Sequence, residues 1–302
     1  MILINGEGVL CEAVEDLGRE HLVPHQALNE YWPWARMRAE QEERRLFEEI
    51  RRLPASDYER VRILLAEHPT SEQGALWELW GDLWGKFGLF EPVSAWPWCN
   101  VAGWCFPCPA CKWPMRAQPT AGGLIEVSCD AHGTEGVRYT CRARRHDSRP
   151  DLEGVGWASE PVTGFPAAGD SLAVTRTVWR YLSLPGQMEV TLRNALKGIS
   201  GLDVRMYPDR DSYDLHITAG RPLVDKEWKV DAKAWRSADA LADALLAKPV
   251  LPGPEPLIIV VPRRQRCDLS VLRERLRGRL DLRVEVDVEL LSEIRRWCGL
   301  VR

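Results

Sequence analysis

The run Leu257-Ile-Ile-Val-Val261, preceded by Pro256, constrains this chain more than any other stretch. An unbroken apolar run of strand length shows no in–out alternation, so a strand made from it must be covered on both faces. Sheets covered on both sides belong to layered α/β architectures. The surrounding sequence supplies the layers. Pro185 to Lys197 reads as a helix that starts after Pro185 and is closed by Gly198 or Gly201. Leu202 to Tyr207 reads as a strand, and Ala238 to Leu246, Leu269 to Leu276 and Leu290 to Trp297 as helices, with Leu282 to Val288 as the last strand. Two further strands surround Asp214 and Asp231. The order α-β-β-β-α-β-α-β-α predicts a mixed sheet flanked by helices over residues 171–302.

The two middle strands carry the chemistry. Tyr213-Asp-Leu-His-Ile217 and Lys226-Glu-Trp-Lys-Val230, followed by Asp231-Ala-Lys233, form a hairpin if the chain turns between Ala219 and Asp225, where Gly220 and Pro222 lie. Side chains two apart on a strand share a face. That parity groups Tyr213, Leu215 and Ile217 with Trp228, Val230 and Ala232 as apolar. It groups Asp214, His216 and Thr218 with Glu227, Lys229, Asp231 and Lys233 as polar, and sets Asp214 about opposite Asp231. Two carboxylates and a lysine converging on one strand face point to metal-dependent phosphodiester chemistry. Asp209 and Asp211 also precede Asp214, but Asp209 falls in the turn after the first strand, and Asp211 reads as a helper or turn former. Held beside carboxylates, Lys233 is expected to stay protonated. Lys229 on the same face, and Arg263 and Arg264 after the buried strand, are candidate phosphate-backbone contacts.

The rest of the chain has a different character. Residues 1–90 read as helical: Gln41 to Ile50 is rich in helix formers, Pro54 to Asp57 breaks it, and a second helix begins near Tyr58. Trp77, Leu79, Trp80, Leu83, Trp84 and Phe87 then recur at helical spacing, as a stripe expected to pack as core. Residues 91–150 are rich in Pro and Trp and hold most of the cysteines. Of nine cysteines in 302 residues, five lie between Cys99 and Cys129. Cys108-Pro-Ala-Cys111 and Cys129-Asp-Ala-His132 are two tight knuckles whose spacing fits a zinc ribbon with tetrahedral, structural Zn²⁺. His132 is the expected fourth ligand, with Cys141, Cys105 and Cys99 also available. After the knuckles, Arg138, Arg142, Arg144, Arg145, His146 and Arg149 form a basic run suited to a nucleic-acid backbone or to a solvated strand face. Residues 151–170 read as a linker.

The net charge of −4 provides no global field for nucleic acid, so any such affinity must be local. No apolar run reaches bilayer length and no secretory leader opens the sequence, which gives an expectation of a cytoplasmic protein.

With Asp214, Asp231 and Lys233 at these places in that order of elements, residues 171–302 resemble the PD-(D/E)xK restriction-endonuclease-like superfamily. The resemblance implies that Asp214 and Asp231 hold catalytic Mg²⁺ or Mn²⁺ and that Lys233 activates or orients water. It further implies that Glu189, on the first helix one turn before Leu192 and Leu196, is the additional acidic ligand. With the Cys-Pro-Ala-Cys-Lys-Trp-Pro-Met115 segment in front, the chain resembles the nuclease subunit associated with bacterial PIWI-like (pPIWI-RE) defence systems. That likeness implies a Mg²⁺-dependent DNA endonuclease acting in prokaryotic defence with PIWI-like and helicase partners. The competing expectation is a non-catalytic zinc-ribbon subunit that binds DNA or scaffolds a defence or repair complex.

Overall fold

The computed structural model describes residues 41, 44–120, 122–142, 149–156, 160–220, 225–235, 237–249 and 255–300. The chain divides into two compact units, Met1–Glu59 with Met188–Arg302, and Arg60–Gln187.

The first unit is the mixed α/β layer. Its elements in chain order are α1 (Leu184–Leu196), β1 (Leu202–Met206), the short α2 (Pro208–Asp211), β2 (Leu215–Gly220), β3 (Asp225–Ala232), α3 (Ala238–Leu246), β4 (Leu257–Val261), α4 (Leu269–Arg275), β5 (Leu282–Val286) and α5 (Asp287–Trp297). Sheet order follows chain order, β1-β2-β3-β4-β5. The β1-β2 and β2-β3 pairs are antiparallel, and β3-β4 and β4-β5 are parallel. The parallel pairs need crossovers, and α3 and α4 provide them.

The pattern of β4 explains the layering. All five of its residues are buried. Ile258 and Val260 join Leu215, Ile217, Trp228 and Val230 under Leu192 and Leu196 of α1 and Leu290 and Ile294 of α5. Leu257, Ile259 and Val261 face the other way, under Leu241 and Leu245 of α3 and Leu269 and Leu272 of α4. Each such side chain contributes about 1.5–3 kcal/mol of burial, so one strand anchors two cores. Ser237 caps α3 by accepting from the Ala240 N–H at 3.2 Å, and Gly198 at φ 91° ends α1, as its freedom from a Cβ allows.

Parity holds for β2 and β3 but not before them. Leu215, Ile217, Trp228, Val230 and Ala232 share one core, whereas Tyr213 packs against the opposite one. The strand begins only at Leu215, and the bend at residues 213–214 resets which way side chains point.

The second unit is built from short strands. An antiparallel sheet runs Arg116–Pro119, Leu124–Ser128, Arg138–Arg142, Glu153–Gly154. A three-stranded sheet sets Ser171–Val174 between Thr70–Glu72 and Phe90–Pro92. Phe165–Pro166 pairs with Trp104–Cys105. Strand pairing therefore crosses the borders expected near residues 90, 150 and 170, and the expected linker contributes two strands. Local composition marks turns well but is blind to partners far along the chain. Trp113 centres this unit: its indole donates to the Val174 carbonyl at 2.9 Å and stacks on Trp179 at 4.3 Å between centroids.

The aromatic stripe divides. The helix Gln73–Trp80 ends at Gly81, whose positive φ of 56° breaks the period. Trp80 and Leu83 are core, but Trp77 is 64% exposed, contrary to the expectation of a packed stripe.

Candidate functional site

Asp214 and Asp231 meet at one end of the α/β sheet. The register that sets Leu215 opposite Val230 brings these two residues next in line, and the Asp214 N–H donates to the Val230 carbonyl at 3.0 Å. The Asp214 carboxylate accepts from the Ala232 N–H at 2.6 Å. Lys233 donates to Asp231 at 2.5 Å and lies 4.0 Å from Asp214. Its own N–H is fixed to the Val260 carbonyl at 2.7 Å, so the last residue of the motif is held by β4. Asp214 and Asp231 are each 6% exposed and Glu189 is 3% exposed.

Electrostatics tie Glu189 to the group. Burial raises the Asp214 pKa well above the ordinary carboxylate value, and Glu189 and Asp231 add to the rise while Lys233 opposes it. For Lys233 burial works against the charge, but Asp214 and Asp231 more than offset it and the ammonium pKa rises. The structure thus brings Asp214, Asp231 and Lys233 into contact, with Glu189 close enough to interact with Asp214 and Lys233 through its charge.

Two neighbours escaped sequence reasoning. Tyr207 donates its hydroxyl to Glu189 Oε2 at 2.6 Å while its backbone sits in the left-handed region at φ 51°. Asp209 and Asp211 in the same turn also have positive φ, of 51° and 79°. Non-glycine residues pay about 1–3 kcal/mol each for such conformations, which cluster at functional sites. The second is Lys248, just past α3, whose ammonium is 4.0 Å from Asp231 Oδ2. Buried Arg279 fixes that helix end by donating to the carbonyls of Leu245, Lys248 and Pro249. No local pattern announces either residue, because both reach the site through tertiary contact.

The backbone-contact candidates are more dispersed. Lys229 is paired with Glu227 at 3.3 Å. Arg263 and Arg264 lie exposed in the turn Arg263–Asp268, and Arg142 is exposed at the end of its strand. Arg144 and Arg145 lie outside the described residues. Arg138 is engaged by Glu126 at 2.8 Å across the sheet.

The second unit holds a separate constellation. The ligand atoms of Cys108, Cys111, Cys129 and His132 lie within 4.8 Å of one another. Cys111 and Cys129 sulfurs are 3.7 Å apart, and His132 Nδ1 is 3.6 Å from Cys108 and 3.4 Å from Cys129. Tetrahedral bonds of about 2.3 Å put sulfurs about 3.8 Å apart, so these separations match those of ligands around a tetrahedral metal. The protonation pattern agrees. Hydrogen bonds from Cys111 and Cys129 drive the Cys108 thiol far down, while burial pushes Cys111 up to about 12 and hydrogen bonding to Cys108 raises Cys129. This Cys₃His group could bind a metal such as zinc. It does not include Cys141, Cys105 or Cys99. Cys99 and Cys105 pair with each other at 3.4 Å instead.

The knuckles are braced locally. Lys112 at φ 61° turns the chain after Cys111, and its N–H donates to the Cys108 carbonyl at 2.8 Å. Asp130, between ligands Cys129 and His132, accepts from Arg116 at 3.1 Å and Arg176 at 2.6 Å.

No described helix is long and apolar enough to cross a membrane. No curated protein and no solved structure matches the chain. Residues 186–298, which contain Glu189, Asp214, Asp231 and Lys233, match the family model described as REase associating with pPIWI_RE. Over that segment, which is about a third of the chain, the protein is similar to that restriction-endonuclease-like family.

Proposed function

We propose that the chain is a Mg²⁺-dependent DNA endonuclease of PD-(D/E)xK type, serving as the nuclease subunit of a pPIWI_RE-associated defence system. The observation that carries this reading is the pairing of buried Asp214 and Asp231 with Lys233, with buried Glu189 near enough to interact with them through its charge, within the segment that matches the family. The donor set fits the ion. Three hard carboxylates suit Mg²⁺, and burial first, then the charges of Glu189 and Asp231, raise the Asp214 pKa, so a bound cation would relieve that group.

Asp214, Asp231 and Glu189 would hold the metal. When bound, it supplies positive charge to the scissile phosphate and lowers the pKa of the attacking water. The protein groups do the rest. The Ala232 N–H fixes the Asp214 carboxylate, and the bond from Lys233 to the Val260 carbonyl fixes the strand end. Protonated Lys233 orients the water or neutralises a phosphate oxygen, and Lys248 stands ready for a neighbouring phosphate. Lys229, Arg263, Arg264 and Arg142, with Arg144 and Arg145, remain candidate backbone contacts for DNA.

In this reading the Cys₃His group is a structural zinc ribbon. Four protein ligands leave no open position, so its role is to hold the short-stranded unit together.

The test is cleavage of supercoiled and linear DNA by the purified chain, alone and with its PIWI-like partner, in Mg²⁺, Mn²⁺ or EDTA. Metal-dependent cleavage lost in Asp231→Ala and Lys233→Ala supports the reading. Cleavage that persists in those variants, or that needs no metal, overturns it.

A further inference from the structure

We propose that Tyr207 is a positioning residue for the Glu189 carboxylate and that Tyr58 braces it, so that this pair of tyrosines sets the metal affinity of the carboxylate site. The inference rests on the metal site proposed above and adds what holds its ligands in place.

The contacts form a continuous path. Tyr58 is 1% exposed, and its ring meets the Tyr207 ring edge-on at 5.9 Å, with planes 89° apart. Its hydroxyl donates to Asp211 Oδ2 at 3.0 Å, and Arg51 approaches the same carboxylate at 4.0 Å. Tyr207, 4% exposed, donates to Glu189. Tyr58 therefore grips the turn 207–211 at both ends, through a ring at Tyr207 and a hydrogen bond at Asp211.

That turn has reason to need a grip. Tyr207, Asp209 and Asp211 all hold positive φ without being glycine, a run that relaxes unless surrounding contacts over-determine it. The same turn leads into Asp214, and the Tyr207 N–H donates to the Asp214 carbonyl at 2.8 Å. Loosening it would disturb two of the three acids together. Hydrogen bonds to ligating carboxylates fix their orientation, and losing such a partner weakens metal binding about 10–100-fold.

The experiment measures Mn²⁺ binding by calorimetry on the full chain with its zinc site filled, using Asp231→Ala to define the heat that belongs to the carboxylate site. Tyr207→Phe removes the hydroxyl and keeps the ring; Tyr58→Leu removes the brace; Tyr58→Phe removes only the bond to Asp211. Circular dichroism melting without Mn²⁺ shows which variants are folded. The expected result is affinity about tenfold weaker in Tyr207→Phe, and weaker binding in Tyr58→Leu, with a smaller Mn²⁺-induced rise in melting temperature for both. Folded variants that bind Mn²⁺ as wild type does overturn the inference and leave the metal site standing. If Tyr207→Phe or Tyr58→Leu does not fold, Tyr58→Phe decides, since unaltered affinity there removes the brace. Wild type with no binding sensitive to Asp231→Ala overturns the metal site and the brace together.

Discussion

The Ala232 N–H donates to the Asp214 carboxylate at 2.6 Å, so the backbone between Asp231 and Lys233 holds the acid that precedes the neighbouring strand. Asparagine retains the accepting oxygen and loses the charge. Asp214→Asn is therefore expected to fold and to be as stable as wild type or more so without metal, because a buried carboxylate disfavoured by its surroundings is gone. Metal-dependent cleavage should fall by at least about 100-fold. Melting curves with and without Mg²⁺, beside a plasmid cleavage assay, check both halves.

The tetrahedral spacing of Cys108, Cys111, Cys129 and His132 predicts one tightly held zinc per chain. Cys111→Ser and His132→Ala should lower the zinc content measured by elemental analysis and destabilise the unit Arg60–Gln187. Cys141→Ser should leave zinc content unchanged, since that thiol lies outside the group.

Lys248 is 60% exposed and yet within 4.0 Å of Asp231. As a phosphate contact, it should add affinity that salt erodes. Lys248→Ala is expected to weaken DNA binding in Ca²⁺, where cleavage is suppressed, and to reduce the slope of log affinity against log salt by about one. Fluorescence anisotropy titrations at several salt concentrations measure it, and an unchanged slope would exclude the contact.

Glu293 of α5 accepts from the Trp228 indole at 2.9 Å and pairs with Arg283 of β5. Burial opposes its charge, but Arg283 and Trp228 prevail and its pKa lies below the ordinary 4.5. A carboxylate with a depressed folded pKa stabilises the fold above its unfolded pKa and loses that contribution as pH falls through the folded one. Glu293→Gln should thus cost about 1 kcal/mol at pH 7, with the gap from wild type closing below about pH 4. Urea unfolding across that range tests the sign.

Much of the α/β unit was legible because its signals are local. Alternation along Leu215 to Ala232, the unbroken run Leu257 to Val261 and the helical period of Ala238 to Leu246 each report burial directly, and burial is what periodicity encodes. The Asp214, Asp231 and Lys233 grouping followed from the same parity. Glu189 entered through a family resemblance, since nothing in its own neighbourhood marks it. The Cys108–Cys111 and Cys129–His132 knuckles were legible as spacing, and the structure groups His132 rather than Cys141 with the three thiols.

What the sequence could not disclose depends on distant partners. Thr70–Glu72 and Phe90–Pro92 pair with Ser171–Val174, far along the chain from either, and no composition shift announces a pairing of that kind. Trp77 and Trp80 have the same character in sequence and lie in one helix, yet one is exposed and one buried. Tyr58, Tyr207, Lys248 and Arg279 acquire their roles only when the chain folds back on itself. The sequence by itself determined the layers, the metal-ligand spacing and the acidic pair, since each rests on residues a few positions apart. Only the tertiary structure decided how the acids are held and braced, since hydrogen bonds and buried charge depend on which remote groups come within a few ångströms.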